Sequence, residues 1–477
     1  MLGLHEFHRF EAAGQPFVYL VPSAAVFALD TVSDAVIGLL GAGERPREEV
    51  LAGLSARFDS AAVGDSIAEL LRVRAIAERA PRTPSPAAAG LQTRGRVIPV
   101  SPLSTMVLNV TNKCNLACTY CYEYGEDRVV EPSKKPRFMT QETARQSVDF
   151  MFAEAAEQKT VHLTFFGGET LLNYKVLRSA LTYARERAAA LGKEVDVSLT
   201  TNATLLRDEI IDWIVDNDVG VTVSIDGDRE QQNRHRVFHN GKGSYDVIRP
   251  HIESLLKKHR RRPVGARVTL THDNLDVIGI FRHLRGELGF WEVGFAPVTT
   301  SWQRDYAIEE AGFEQMLLAF QTLAREYLDF CLAGKHHGFS NVRDTVEEIH
   351  KGMSKAYPCG AGLGLLGVAT DGDVALCHRF AGSDSHKLGT VFDGVDHAVQ
   401  NDYLVKHHIA NKTDCSQCWA RPICAGGCYH EAQTRYGSTE RPNLHYCEWI
   451  RRWTHTCLEV YGTLAERRPE FLRQFEA

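Results

Sequence analysis

The chain has 477 residues, enough at roughly 150 per domain for about three domains with cores of their own. Its 54 Lys and Arg against 60 Asp and Glu give a net charge of -6 without long like-charge runs, which lends no support to a nucleic-acid-binding surface. The longest apolar runs, 35–40 and 363–368, fall far short of the roughly 18 residues a membrane span needs, and the first residues lack the pattern of a signal peptide, so a cytoplasmic protein is expected.

Residues 1–78 read as a small α+β unit. Extended runs at 5–11, 17–21 and 26–29 are broken at Gly14 and Pro22. Three helices follow, the first opened by Asp30 or Thr31, the second by Pro46 in its first turn, and the third by Asp59 or Ser60. The segment 78–95, rich in Pro, Ala and Gly, marks a linker, taken as 79–103. From 104 to 309 strands alternate with amphipathic helices, the signature of βα units around a parallel sheet, with strands expected at 106–110, 161–166, 195–200, 220–225, 266–271 and 292–297. Six units are two short of a closed barrel, so the fold class is α/β, an open (β/α)6 barrel with reacting groups at the carboxyl edge of its strands. Residues 310–354 read as connecting helices. The stretch 355–477, rich in Cys and Gly, reads as a region where metal sites replace part of the core.

Twelve cysteines are present and none precedes Cys114. In a reducing compartment tight cysteine clusters favour metal or redox chemistry over disulfides. The first strand runs into TNKCNLACTYCYEYG, where Cys114, Cys118 and Cys121 form a C-x3-C-x2-C loop. Three thiolates on one loop can hold three irons of a [4Fe-4S] cubane and leave the fourth open to a small molecule. A structural zinc loop or three reduced thiols is the plainer reading.

This motif resembles that of the radical S-adenosylmethionine (SAM) superfamily, and three further strand ends extend the resemblance. Phe165-Phe166-Gly167-Gly168-Glu169 matches the family's Gly-Gly-Glu motif, whose backbone and carboxylate hold the methionyl ammonium of SAM. Asn202 and the run Ser224-Ile225-Asp226-Gly227 match its ribose-contacting positions, and Tyr120 the aromatic that packs near the adenine. Asn202 and Ser224 could equally cap the following helices. Arg236 is a candidate for the SAM carboxylate, with an exposed salt bridge as the alternative.

A second array runs Cys359-x12-Gly372-x4-Cys377, then Cys415-x2-Cys418-x5-Cys424-x3-Cys428, then x18 to Cys447. It resembles the SPASM domain of radical SAM enzymes that modify peptides. The resemblance implies two auxiliary [4Fe-4S] clusters, one held by Cys415, Cys418, Cys424 and Cys447 and the other by Cys359, Cys377 and Cys428, which leaves one iron without a thiolate. Cys331 and Cys457 read as buried, reduced residues. Residues 1–78 resemble the winged-helix-like peptide-recognition domain that grips a leader segment along a strand edge.

Across whole segments, including VHLTFFGGETLLNY, PCGAGLGLLGV and CWARPICAGGCYHEA, the chain is similar to the thioether-forming maturases of quinohemoprotein amine dehydrogenase. That resemblance implies crosslinks from Cys sulfur to a methylene carbon of Asp or Glu in the small subunit of the dehydrogenase. The reduced cluster at Cys114, Cys118 and Cys121 would cleave SAM, a 5′-deoxyadenosyl radical would take the hydrogen, and an auxiliary cluster would accept the surplus electron. A donor such as flavodoxin or ferredoxin is implied, with three [4Fe-4S] clusters in all. No general base need be named, and His378 beside Cys377 is no more than a candidate. The alternatives are another SPASM maturase, such as one that makes formylglycine in sulfatases, and a non-catalytic iron-sulfur or zinc protein.

Overall fold

The computed structural model describes residues 1–78, 98, 101–131, 136–156 and 158–476. Most of the expected linker therefore lies outside the described residues. In the first unit β1 (Leu2–Leu4), β2 (Phe7–Ala12), β3 (Gln15–Leu20) and β4 (Ala25–Ala28) precede α1 (Thr31–Leu40), α2 (Arg47–Leu54) and α3 (Ser60–Arg72), and β5 (Ile76–Glu78) returns to pair with β1. Asp30 caps α1 through Ser33 N, Pro46 immediately precedes α2, and Asp59 caps α3 through Ala61 N. Strands β2, β3 and β4 form an antiparallel sheet that is covered on both faces. Val18 and Leu20 pack with the helices of the unit, whereas Phe10, Phe17 and Tyr19 join the core of the rest of the chain.

The expected six parallel strands are present: β6 (Thr105–Thr111), β7 (Thr160–Gly167), β8 (Glu194–Thr201), β9 (Gly220–Ser224), β10 (Val264–Leu270) and β11 (Glu292–Pro297). They pair in sequence order, each return made through helices on the outer face, as right-handed βα crossovers require. Along β8, β9 and β10 the outward residues are aliphatic (Val197 and Leu199, Val221 and Val223, Val268 and Leu270) and the intervening inward ones polar (Thr200, Thr222 and Ser224, Arg267 and Thr269). A packed parallel sheet is apolar on both faces; this one lines a cavity with its inner face.

The sheet does not end at β6. β12 (Leu365–Val368) pairs parallel to it, Leu365 opposite Thr105, and β13 (Asp373–Ala375), β14 (Lys387–Thr390) and β15 (Gly394–Val395) continue antiparallel, making ten strands in one mixed sheet. Residue 355 therefore marks a change of composition with no break in the sheet. Behind it the long helices Glu310–Leu332 and Cys447–Arg467 pack together, and the second also packs on β2, where Gly462 lets Ala12 approach: a Cβ on Gly462 would lie 2.8 Å from the Ala12 Cβ. No helix among the described residues is long and apolar enough to cross a membrane.

Candidate functional site

The loop leaving β6 carries Cys114, Cys118 and Cys121 to the carboxyl edge of the sheet, beside a cavity of about 430 Å3. Hydrogen bonds hold the loop from two sides. The segment after Arg236 clamps it, Ala117 N donating to Val237 O (2.7 Å) and Thr119 pairing with His235 Nδ1 (2.6 Å). From β8, Asn202 Nδ2 donates to Asn115 Oδ1 (3.0 Å) and lies 3.7 Å from the Cys114 sulfur. Burial pushes the Cys114 and Cys121 thiols up to about 12, each further raised by the other cysteines of the loop. Thiols so placed are poor acids, and a cation that binds them must displace their protons.

The walls of this cavity bring together Tyr120, Gly167, Gly168, Asn202, Ser224, Arg236 and His378 from four strand ends and two loops. A Cβ on Gly167, whose φ is +119°, would fall 2.3 Å from Thr111 O, and one on Gly168 would fall 2.2 Å from Lys113 O. Strand and cluster loop can meet this closely only with glycine at both positions. The capping alternatives do not hold: the helix after Asn202 is preceded by Arg207 and the one after Ser224 is capped by Asp228. Asn202 instead closes a local turn, its Oδ1 accepting from Thr204 N (3.0 Å).

Two expectations change. Glu169 is fully buried and absent from the cavity wall, its carboxylate accepting from Thr201 Oγ1 and Asn202 N, both at 2.7 Å, and from Leu171 N (3.1 Å). It ties β7 to β8. Asp226 is buried as well, accepting from Tyr120 Oη, from Arg236 Nε (3.0 Å) and from Thr269 N (3.0 Å). Arg236 thus makes a buried ion pair, and its guanidinium also stacks over the Tyr120 ring at 5.7 Å. His378 lies against Phe166, ring centroids 4.4 Å apart, and burial lowers its pKa to about 3, which keeps the imidazole neutral.

A second cavity, about 540 Å3, is lined by Cys359, Cys415, Cys418, Cys424, Cys428 and Cys447. The thiols fall into two electrostatic neighbourhoods. Cys377 is pushed up to about 12, first by burial and then by Cys428 and Cys359. Cys415, also near 12, responds to burial, then to Cys424, Cys447 and Cys418. Cys331 and Cys457 are buried in the two long helices, beside Tyr327 and Thr345 respectively, and line neither cysteine-bearing cavity.

Several residues of the site carry no motif. Tyr122 lies between Arg379, whose guanidinium is 4.6 Å from its ring centroid, and His430. Glu123, raised to about 7 by burial, lines the first cavity. Lys412 is 4% exposed with no hydrogen-bond partner for its Nζ, near Cys415, Cys424 and Cys359. Arg267 and Arg379 line both cavities, and the first of them was legible as a charged residue at an inward strand position.

The desolvated thiols in sets of three, three and four, the glycine cradle and the polar cavity fit SAM and [4Fe-4S] clusters. Residues 108–284 match the radical SAM superfamily, whose members bind SAM and such a cluster. A serine-type anaerobic sulfatase-maturating enzyme of Bacteroides thetaiotaomicron is 27% identical over 376 residues, 72% of this chain and 86% of that one. The structure of anSMEcpe with bound AdoMet superimposes with a TM-score of 0.63 at 20% identity, covering 79% of this chain and 100% of that one. That of Streptococcus suis SuiB bound to precursor peptide SuiA covers 94% of this chain and 100% of its own at a TM-score of 0.50 and 14% identity.

Proposed function

Because residues 108–284 form a radical SAM domain, we propose that the protein is a peptide maturase that closes thioether bonds between Cys sulfur and a methylene carbon of Asp or Glu, with the small subunit of quinohemoprotein amine dehydrogenase as its substrate. The observation that carries the reading is the adjacency of the two cavities: Arg267, Ala296, Pro297, Thr299 and Arg379 line both, so the space beside Cys114, Cys118 and Cys121 adjoins the space lined by the C-terminal cysteines.

Thioether closure removes two hydrogens from the peptide. One leaves the carbon as an atom, the other leaves sulfur as a proton, and one electron must leave with them. When bound, SAM and the cluster at Cys114, Cys118 and Cys121 supply one-electron cleavage and abstraction of hydrogen from an unactivated carbon. The chain's own residues orient and shield. Gly167 and Gly168 present backbone to the methionyl end, Asn202 and Ser224 present polar groups, Tyr120 presents a ring held by Asp226 and Arg236, and neutral His378 and Phe166 close the cavity floor. The cysteines of the second cavity would hold auxiliary clusters, which would supply an acceptor for the departing electron.

Residues 1–78 would hold the leader segment. The fold match to SuiB supports this, since a match to 94% of the chain cannot omit that unit. The similarity to a sulfatase-maturating enzyme favours a second reading, oxidation of Cys or Ser to formylglycine. Mass spectrometry of the small subunit after coexpression separates the two. Loss of two hydrogens per crosslink with a new Cys-to-Asp or Cys-to-Glu bond is expected; an aldehyde would replace this reading with the second.

A further inference from the structure

The boundary shared by the two cavities is formed by two small apolar residues, one threonine and two arginines. Arg267 projects inward from β10 and Arg379 follows Cys377 and His378. Among the described residues neither guanidinium makes a salt bridge. Arg379 donates to Thr299 Oγ1 (2.9 Å) and lies over Tyr122. Among the described residues the Arg267 guanidinium makes no hydrogen bond, and Asp344, the acidic group that acts on it, is engaged by Arg343 at 2.7 Å. The two cations stand close enough to repel; the thiols of Cys428 and Cys377 act on Arg379, whereas Arg267, among the described residues, lacks the anion that a desolvated arginine requires.

The geometry points to a carboxylate-binding site: Arg267 and Arg379 together receive the acidic side chain of the substrate peptide. The inference rests on the proposed thioether chemistry, in which the carbon that loses hydrogen lies one or two bonds from a carboxylate. A planar guanidinium binds a carboxylate through two parallel N–H donors, which fixes direction as well as position. Anchored at this boundary, the side chain presents its methylene carbons toward the cavity beside the first three cysteines, with the peptide cysteine on the side of the second cavity. Two other anions compete for the same charges. Thiolates at Cys377 and Cys428 lie near Arg379, but no cysteine is among the groups acting on Arg267. The carboxylate of SAM is the other, and the experiment separates it.

The test uses the full-length, cluster-loaded protein with SAM and no reductant, so that nothing turns over. The probe is the small subunit of the dehydrogenase, fluorescently labelled, against a twin in which every Asp and Glu of its cysteine-rich segment is Asn or Gln. The acidic form should bind at least about tenfold more tightly, and Arg267→Gln should erase that preference while Arg267→Lys retains part of it. Arg379→Gln should do the same if it loads iron normally; should it fail to load, Arg267, which has no cysteine neighbour, decides alone. Equal binding of the two probes by the wild type, or equal weakening of both by Arg267→Gln, overturns the site. Loss of SAM affinity in Arg267→Gln with the peptide preference intact would assign the guanidinium to the cofactor and overturn it as well. An aldehyde product in the mass-spectrometric experiment would instead refute the thioether reading, whatever the binding preference.

Discussion

Asp226 is the most connected side chain at the carboxyl edge of the sheet, because one carboxylate accepts from a tyrosine on the cluster loop, an arginine beyond the next helix and the backbone of β10. Removing it leaves Arg236 buried without a counter-charge, which costs about 3–5 kcal/mol. Asp226→Ala should therefore lower the denaturation midpoint and weaken SAM binding together, and Asp226→Asn, which can still bond Thr269, should do less. An unchanged midpoint in the alanine variant would show that the pair carries no such load. Gly168 makes a sharper case. An added methyl meets the backbone oxygen of Lys113 at 2.2 Å, and backbone cannot rotate away as a side chain could. Gly168→Ala should displace the cluster loop, so iron loading at that loop and SAM affinity fall while far-ultraviolet circular dichroism stays the same; normal loading and affinity would contradict the cradle.

At the scale of elements, the first unit docks on the loop that carries the auxiliary cysteines. His8 of β2 stacks on Trp419, which follows Cys418, with centroids 3.6 Å apart and planes within 5°, and its Nε2 meets His455 Nδ1 at 2.8 Å. Glu6 grips Arg421 with both oxygens. Burial, and then His455, lowers the pKa of His8 from 6.5 to about 4. Between those values the unfolded chain binds a proton at this position and the docked one does not. The docking contribution of His8 is thus complete above pH 6.5, declines as pH falls toward 4, and is constant below. The difference in thermal midpoint between wild type and His8→Phe, which keeps a flat ring on Trp419 but cannot titrate, should vary across that window; a constant difference would place the titration elsewhere. Phe10, Phe17 and Tyr19 share the main core, so a deletion of residues 1–78 would also bare apolar surface on the helix Cys447–Arg467, and variants such as His8→Phe report on docking more cleanly.

For the whole molecule, ten cysteines in sets of three, three and four imply three cubanes and about twelve irons per chain. Replacing Cys114, Cys118 and Cys121 with alanine should bring the iron content to about eight and abolish formation of 5′-deoxyadenosine. Iron and 5′-deoxyadenosine assays on anaerobically reconstituted protein check both halves. Full activity with about four irons, or with zinc in their place, would contradict the assignment. The same sheet carries residues of two of the three sites: β6 leads into the first cysteine loop, and its neighbour β12 leads by way of β13 to Cys377. One extended sheet thus fixes the spacing of the cofactor cavity from Cys377.

What the sequence by itself determined is whatever local chemistry repeats along the chain. Alternation of aliphatic and polar residues located six parallel strands to within two residues at each end, because register along a strand is set by which face is buried. Asp30 and Asp59 announced their helices because a side-chain oxygen must satisfy free N–H groups at a helix start. Cysteine spacing picked out the loop of Cys114, Cys118 and Cys121 and the C-terminal array, whereas the division of that array into two sets came from the resemblance to the SPASM domain. Contacts between distant segments left no such trace. That Glu169 turns inward to tie two strands, that Asp226 takes up Arg236, that β12 extends the barrel sheet, and that Trp419 receives His8 all depend on which surfaces meet when the core closes. The tertiary structure alone set Arg267 and Arg379 on one boundary, because residues 112 positions apart in sequence become neighbours only through the pairing of β10 with the sheet and of β12 with β6.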